Sequence, residues 1–142
     1  MIGGSPLDTL FDLTLTKAQV DAISNLGLAH IGDGVYELMV RSYLCAKGDQ
    51  TVKTLHRDSI RMVNASTQAA VAEKILPLLD EEEMAYFRRG KNSHTHAAPK
   101  AATPQQYALA TGLETLFGAL YLYGRIERLN QLFRKGIEEN GL

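Results

Sequence analysis

Two carboxylates set among glycines, Asp33 in HIGDGVYE and Glu114 in ATGLETLFGA, are the residues whose type and spacing point most directly to chemistry. Gly32 and Gly34 flank Asp33, and Gly112 and Gly118 bracket Glu114. Glycine costs a helix about 1 kcal/mol relative to alanine. Its repetition beside an acid implies a close approach, by a ligand or by a neighbouring helix. Glu37, one turn beyond Asp33, shares its face. Convergent carboxylates form a hard oxygen donor set that suits Mg²⁺, which takes one or two protein carboxylates and otherwise keeps water and substrate phosphate. The chemistry that follows is metal-assisted hydrolysis of a phosphodiester.

Two helices have to bring these acids together. Across Gly27–Lys47, the residues Leu28, Ile31, Val35, Leu38 and Met39 recur at intervals of three and four and form the expected core stripe. His30, Asp33, Glu37 and Arg41 fall on the opposite, polar side. Tyr36, Val40 and Leu44 lie outside the stripe and are candidates to bury against a partner subunit or against a neighbouring helix of the same chain. The second helix has a strong start in Thr103, Pro104 and Gln106, an N-cap, a first-turn proline and a capping-box partner. It carries Leu109, Leu113, Leu116, Phe117 and Leu120 to an end at Gly124, with Glu114 at the border of that stripe.

The remaining chain also reads as helices. Thr16 with Gln19 opens one that runs to about Ser24. Thr51 to Val63 is amphipathic, with Val52, Leu55, Met62 and Val63 facing a basic side of Lys53, His56, Arg57 and Arg61. Asn64 or Ser66 caps a helix bearing Ala69, Ala70, Val71, Ile75 and Leu76, disturbed by Pro77. Asp80 with Glu83 starts a short helix whose first-turn acids are structural, and Gly90 is expected to close it in the left-handed conformation. A last helix uses Ile126, Leu129, Phe133 and Ile137 and stops near Gly141. No segment alternates with period two, so the expected architecture is all-α.

A chain of 142 residues fits one domain, 1–142, with an N-terminal lead-in over 1–14 and a basic loop over 90–103. The single Cys45 excludes an intrachain disulfide, points to a reducing compartment and reads as a buried small residue. The start, MIGGSPLDTLFDL, has no basic n-region or long apolar run, and no stretch approaches the roughly 20 apolar residues of a membrane span. A soluble, cytoplasmic protein is expected. Net charge is −1, yet Met84 to Leu113 contains no Asp or Glu while holding Arg88, Arg89, Lys91 and Lys100. That segregation makes a local surface suited to phosphates. His94 and His96 in the same stretch lack a third ligand and do not make a zinc site.

On these residues the chain resembles a known family. LAHIGDGVYELMVR is similar to the signature helix of Mini-ribonuclease III, the class of the ribonuclease III family without a double-stranded-RNA-binding domain. ATGLETLFGALYL resembles the family's second acidic motif, and FRRGKN its basic segment ahead of the catalytic helix. The three matches keep their order and spacing.

The resemblance implies the all-helical ribonuclease III endonuclease fold, acting as a homodimer on double-stranded RNA. Each subunit would cut one strand to leave a 5′-phosphate and a 3′-hydroxyl. It makes Asp33 and Glu114 the catalytic, Mg²⁺-binding carboxylates, and precursor of large-subunit ribosomal RNA the typical substrate, with a ribosomal protein or assembling particle as a further partner. Candidate RNA contacts are His56, Arg57, Arg61, Arg88, Arg89, Lys91, Asn92 and Lys100. Full-length ribonuclease III has further acids where this chain has Leu26, Ala29 and Thr111, a reduction that the Mini class shares and that implies weak metal affinity. Gly34 stands where alanine is common. A non-catalytic domain binding structured RNA or ribosomal particles is the competing reading, and an all-α interaction module a third.

Overall fold

The computed structural model describes residues 5–48, 50–93 and 102–138, and these contain helices and turns but no strand. Two short 3₁₀ turns, Pro6–Asp8 and Leu10–Asp12, precede α1 (Lys17–Asp21), α2 (Asn25–Lys47), α3 (Val52–Val63) and α4 (Ala65–Ile75). A 3₁₀ turn at Leu76–Leu78 absorbs Pro77, and α5 (Glu81–Lys91), α6 (Pro104–Leu122) and α7 (Ile126–Glu138) follow. The capping boxes expected at Thr16, Asp80 and Thr103 all form, each side chain accepting from the backbone N–H three residues on. Asn64 caps α4. Local sequence therefore sets where the helices start.

Helix α6 is the axis of the molecule. It packs against α2, α4, α5 and α7, and its buried residues run nearly all the way round, from Leu109 through Leu113, Leu116 and Phe117 to Leu122. A helix apolar on every side belongs inside a bundle. Close approach replaces side-chain interdigitation at several crossings. A Cβ on Gly112 would stand 2.9 Å from the Phe87 ring and carbonyl, and one on Gly90 2.2 Å from Thr115 Oγ1, so α5 lies directly on α6.

Gly90 consequently differs from its expected role. It is buried within α5, which continues to Lys91 with Asn92 as its C-cap, and among the described glycines the positive φ values belong to Gly48 and Gly124. The basic loop thus begins after Lys91, and residues 94–101 of it, with His94, His96 and Lys100, lie outside the described residues.

The face of α2 also differs. Its buried residues are Leu28, Ala29, Gly32, Tyr36, Val40 and Leu44, while Ile31, Val35 and Met39 are partly buried and Leu38 is 55% exposed. Small Ala29 and Gly32 admit α6, and this rotates the helix away from the stripe that its large apolar residues define. Tyr36 anchors the result. Its ring meets Phe117 and Phe133 at centroid distances of 6.0 and 5.8 Å, and its hydroxyl donates to the Met62 carbonyl at 3.0 Å. Tyr36, Val40 and Leu44 belong to the chain's own core. Cys45, expected to be buried, is exposed near the end of α2. Among the described residues, no helix is long and apolar enough to cross a membrane.

Candidate active site

Helices α2 and α6 cross backbone to backbone. A Cβ on Gly32 would lie 1.6 Å from the Glu114 carbonyl oxygen, and a Cβ on Gly118 2.0 Å from the Leu28 carbonyl oxygen. Both positions exclude any side chain. The contact sets Asp33, the residue after Gly32, against Glu114 itself, close enough for their carboxyl groups to share a hydrogen bond. Gly32 and Gly118 are thus where a neighbouring helix makes the close approach. A Cβ on Gly34 would meet nothing within 4 Å.

The two acids sit in different surroundings. Asp33 is exposed, with Glu37 a turn further along the same side, whereas Glu114 is largely enclosed between α2 and α4. Burial, and then the Asp33 charge, push the Glu114 carboxyl up to about 8. Gln68, 3% exposed on α4, opposes this by donating from Nε2 to Glu114 Oε2 at 3.5 Å. Glu37 adds a smaller like-charge effect and is itself 3.9 Å from Arg41. Thr111 turns its hydroxyl back to the Tyr107 carbonyl at 3.0 Å.

Adjacent hard oxygens whose charges repel one another are the donor set that a small divalent cation relieves. Among the described residues no group of three or more His, Cys, Asp or Glu is placed to hold a metal. A pair fits Mg²⁺, which keeps several waters and leaves room for a phosphate.

The basic candidates divide by location. His56, Arg57 and Arg61 are exposed on α3. His56 and Arg41 line an open pocket of about 230 Å³ with Cys45, Val52, Leu55 and Ser59. Arg41 lies two turns after Asp33, about 12 Å along the helix axis, so this basic edge continues the acidic face. Arg88, Lys91 and Asn92 are exposed around the last turn of α5.

Arg89 points elsewhere. Its Nε donates to Asn25 Oδ1 at 2.7 Å and an Nη to the Ile23 carbonyl at 2.8 Å, with Asp21 3.8 Å away and the Tyr86 ring 5.6 Å from the guanidinium. These contacts commit the fork to the α1–α2 junction. Gln68 was missed at the sequence level. Its signal was an amide set in the alanine-rich run QAAVA, where an apolar residue is expected.

A family model described as the Ribonuclease III domain matches residues 26–125. The chain is 45% identical to Mini-ribonuclease 3 of Symbiobacterium thermophilum over 77% of its own length and 84% of that protein's. It is 41% identical to Mini-ribonuclease 3 of a Thermoanaerobacter species over 87% of each. A crystal structure of a Fusobacterium nucleatum protein superimposes with a TM-score of 0.77 at 32% identity, covering 86% of this chain and 98% of that one.

Proposed function

Since the chain belongs to the ribonuclease III family and is an endoribonuclease of that type, we propose that it hydrolyses double-stranded RNA at a Mg²⁺ ion held by Asp33 and Glu114. The observation that carries this reading is the meeting of these two carboxyls beside a crossing where Gly32 and Gly118 let the two helix backbones touch. Bound there, Mg²⁺ would polarise a phosphoryl oxygen and supply hydroxide from water at neutral pH.

The chain's own groups do the rest. Asp33 faces solvent, where a backbone phosphate can reach it, and Glu114 closes the site from inside. Glu114 must give up its proton for a cation to enter, so cation and proton compete for the same oxygens. In the reaction, water oxygen bonds to phosphorus, the bond from phosphorus to the 3′ oxygen breaks, and a proton passes to that oxygen. The products are a 5′-phosphate and a 3′-hydroxyl. His56, Arg57 and Arg61 on α3 and Arg88, Lys91 and Asn92 at the end of α5 would contact phosphates, as would Lys100, with Arg89 positioning the α1–α2 junction. A-form RNA offers shape, 2′-hydroxyls and phosphates rather than a readable major groove, so such contacts give little sequence preference.

Two copies would act together. Leu38 and Phe11 are 55% and 82% exposed, and with Val35, Met39, Ile126 and Leu129 they line an apolar groove of about 250 Å³ beside α2. Large exposed apolar patches mark interaction sites. A second copy seated on this face would give a homodimer with two cutting sites. We assign it to the cytoplasm and to precursor of large-subunit (23S) ribosomal RNA, cut near its paired termini, in naked form or on an assembling particle. The test is incubation of an end-labelled RNA duplex with Mg²⁺ or with EDTA. Paired cuts bearing 5′-phosphates only with Mg²⁺ support the reading, and binding without cutting refutes it.

A further inference from the structure

A glutamine seldom lies inside a helical bundle, because its amide brings two N–H donors and a carbonyl that all need partners. Leaving such a group unpaired in the interior is destabilising. Gln68 is nevertheless 3% exposed. Its buried neighbours along α4, Ala69, Val71, Ala72 and Ile75, are all apolar, so packing alone would be served by leucine or methionine. The amide of Gln68 reaches Glu114 Oε2 at 3.5 Å from the α4 side, while Asp33 meets the same carboxyl from the α2 side. Glu114 is held from both flanks.

We propose that Gln68 is a positioning residue for RNA hydrolysis, its amide fixing the Glu114 carboxylate in the orientation that meets Asp33 and thereby setting the cation requirement. The inference rests on the reading of Asp33 and Glu114 as the Mg²⁺ site. Partners behind a metal-binding carboxylate restrict its rotamers and keep an oxygen turned to the ion, and their loss typically weakens metal affinity or activity about 10–100-fold. With no acid at Leu26, Ala29 or Thr111, misdirection of one carboxylate removes half of the pair.

The experiment compares the wild type, Gln68→Leu and Gln68→Met, two apolar residues of similar volume of which at least the unbranched one should pack without strain. Two quantities are titrated with Mg²⁺: thermal stability without RNA, and cleavage rate on an RNA duplex. A folded variant should need about 10–100-fold more Mg²⁺ for the half-maximal thermal shift and for half-maximal rate, with KM for RNA unchanged at saturating Mg²⁺. In a Glu114→Gln background, Gln68→Leu should change neither curve further. Mg²⁺ curves that superimpose on a responsive wild type, or a drop in stability with no change of Mg²⁺ midpoint, overturn the role of Gln68. A wild type that shows neither Mg²⁺-dependent stabilisation nor cutting overturns the metal reading along with it.

Discussion

At Glu114 a proton competes with whatever cation the site accepts, because burial and the neighbouring Asp33 carboxyl favour the neutral acid. An acid whose folded pKa is raised binds more protons folded than unfolded, so stability is lost as pH rises between the two values. In EDTA the wild type should therefore lose stability from near 4.5, the ordinary value, to about 8. Glu114→Gln does not titrate there, and above pH 8 it should be more stable than the wild type by on the order of 1–3 kcal/mol. Thermal denaturation across that window decides the matter, and parallel profiles would mean that Glu114 is well solvated. The adjacent arginines on α5 make a second contrast. Arg88→Ala should flatten the salt dependence of RNA binding by roughly one ion while leaving stability within about 0.5 kcal/mol. Arg89→Ala should chiefly lower the melting temperature, since it leaves Asn25 Oδ1 and the Ile23 carbonyl without their donors. Equal effects of the two substitutions on the salt slope would place Arg89 among the phosphate contacts.

Between elements, the α2–α6 crossing is the feature on which the acid pair depends. Gly34→Ala meets open space and should stabilise the protein by up to about 1 kcal/mol through helix propensity. Gly32→Ala or Gly118→Ala has to push two backbones apart and should destabilise it by several times that amount while lowering activity even where the protein still folds. Chemical denaturation checks both, and a neutral Gly32→Ala would contradict the crossing. The same elements show how much could be read in advance. Helix starts were legible because a capping side chain acts within four residues, as Thr16, Asp80 and Thr103 do. The buried face of α2 was not, because its large apolar residues outvote Ala29 and Gly32 on a helical wheel, and only the partner helix shows that small residues define the contact. Gly90 misled for a related reason. A glycine near a helix end signals a cap when seen alone, and here it makes room for Thr115.

For the whole molecule, α6 is wrapped by helices on most sides, and an exposed apolar groove remains beside α2. Leu38→Asp places a charge in the middle of that groove. It should yield a folded monomer in sedimentation at micromolar concentration, with paired cuts replaced by weak single-strand nicking, and an unchanged dimer would move the interface elsewhere. Asp33 and Glu114 were legible from sequence as acids among glycines, and their convergence follows from the fold. Gln68 left only the trace of an amide in an alanine-rich run, and the contacts of Arg89 and the proposed dimer face join distant segments, which no local pattern encodes. If Asp33 and Glu114 together form one Mg²⁺-dependent cutting site, cleavage of an end-labelled RNA duplex by the wild type, Asp33→Asn and Glu114→Gln at saturating Mg²⁺ shows it most directly. Both variants should fold, bind the duplex with near wild-type affinity and lose at least about 100-fold in rate, because each substitution removes one of the two proposed carboxylate ligands. Cleavage by either folded variant at close to the wild-type rate would contradict the account.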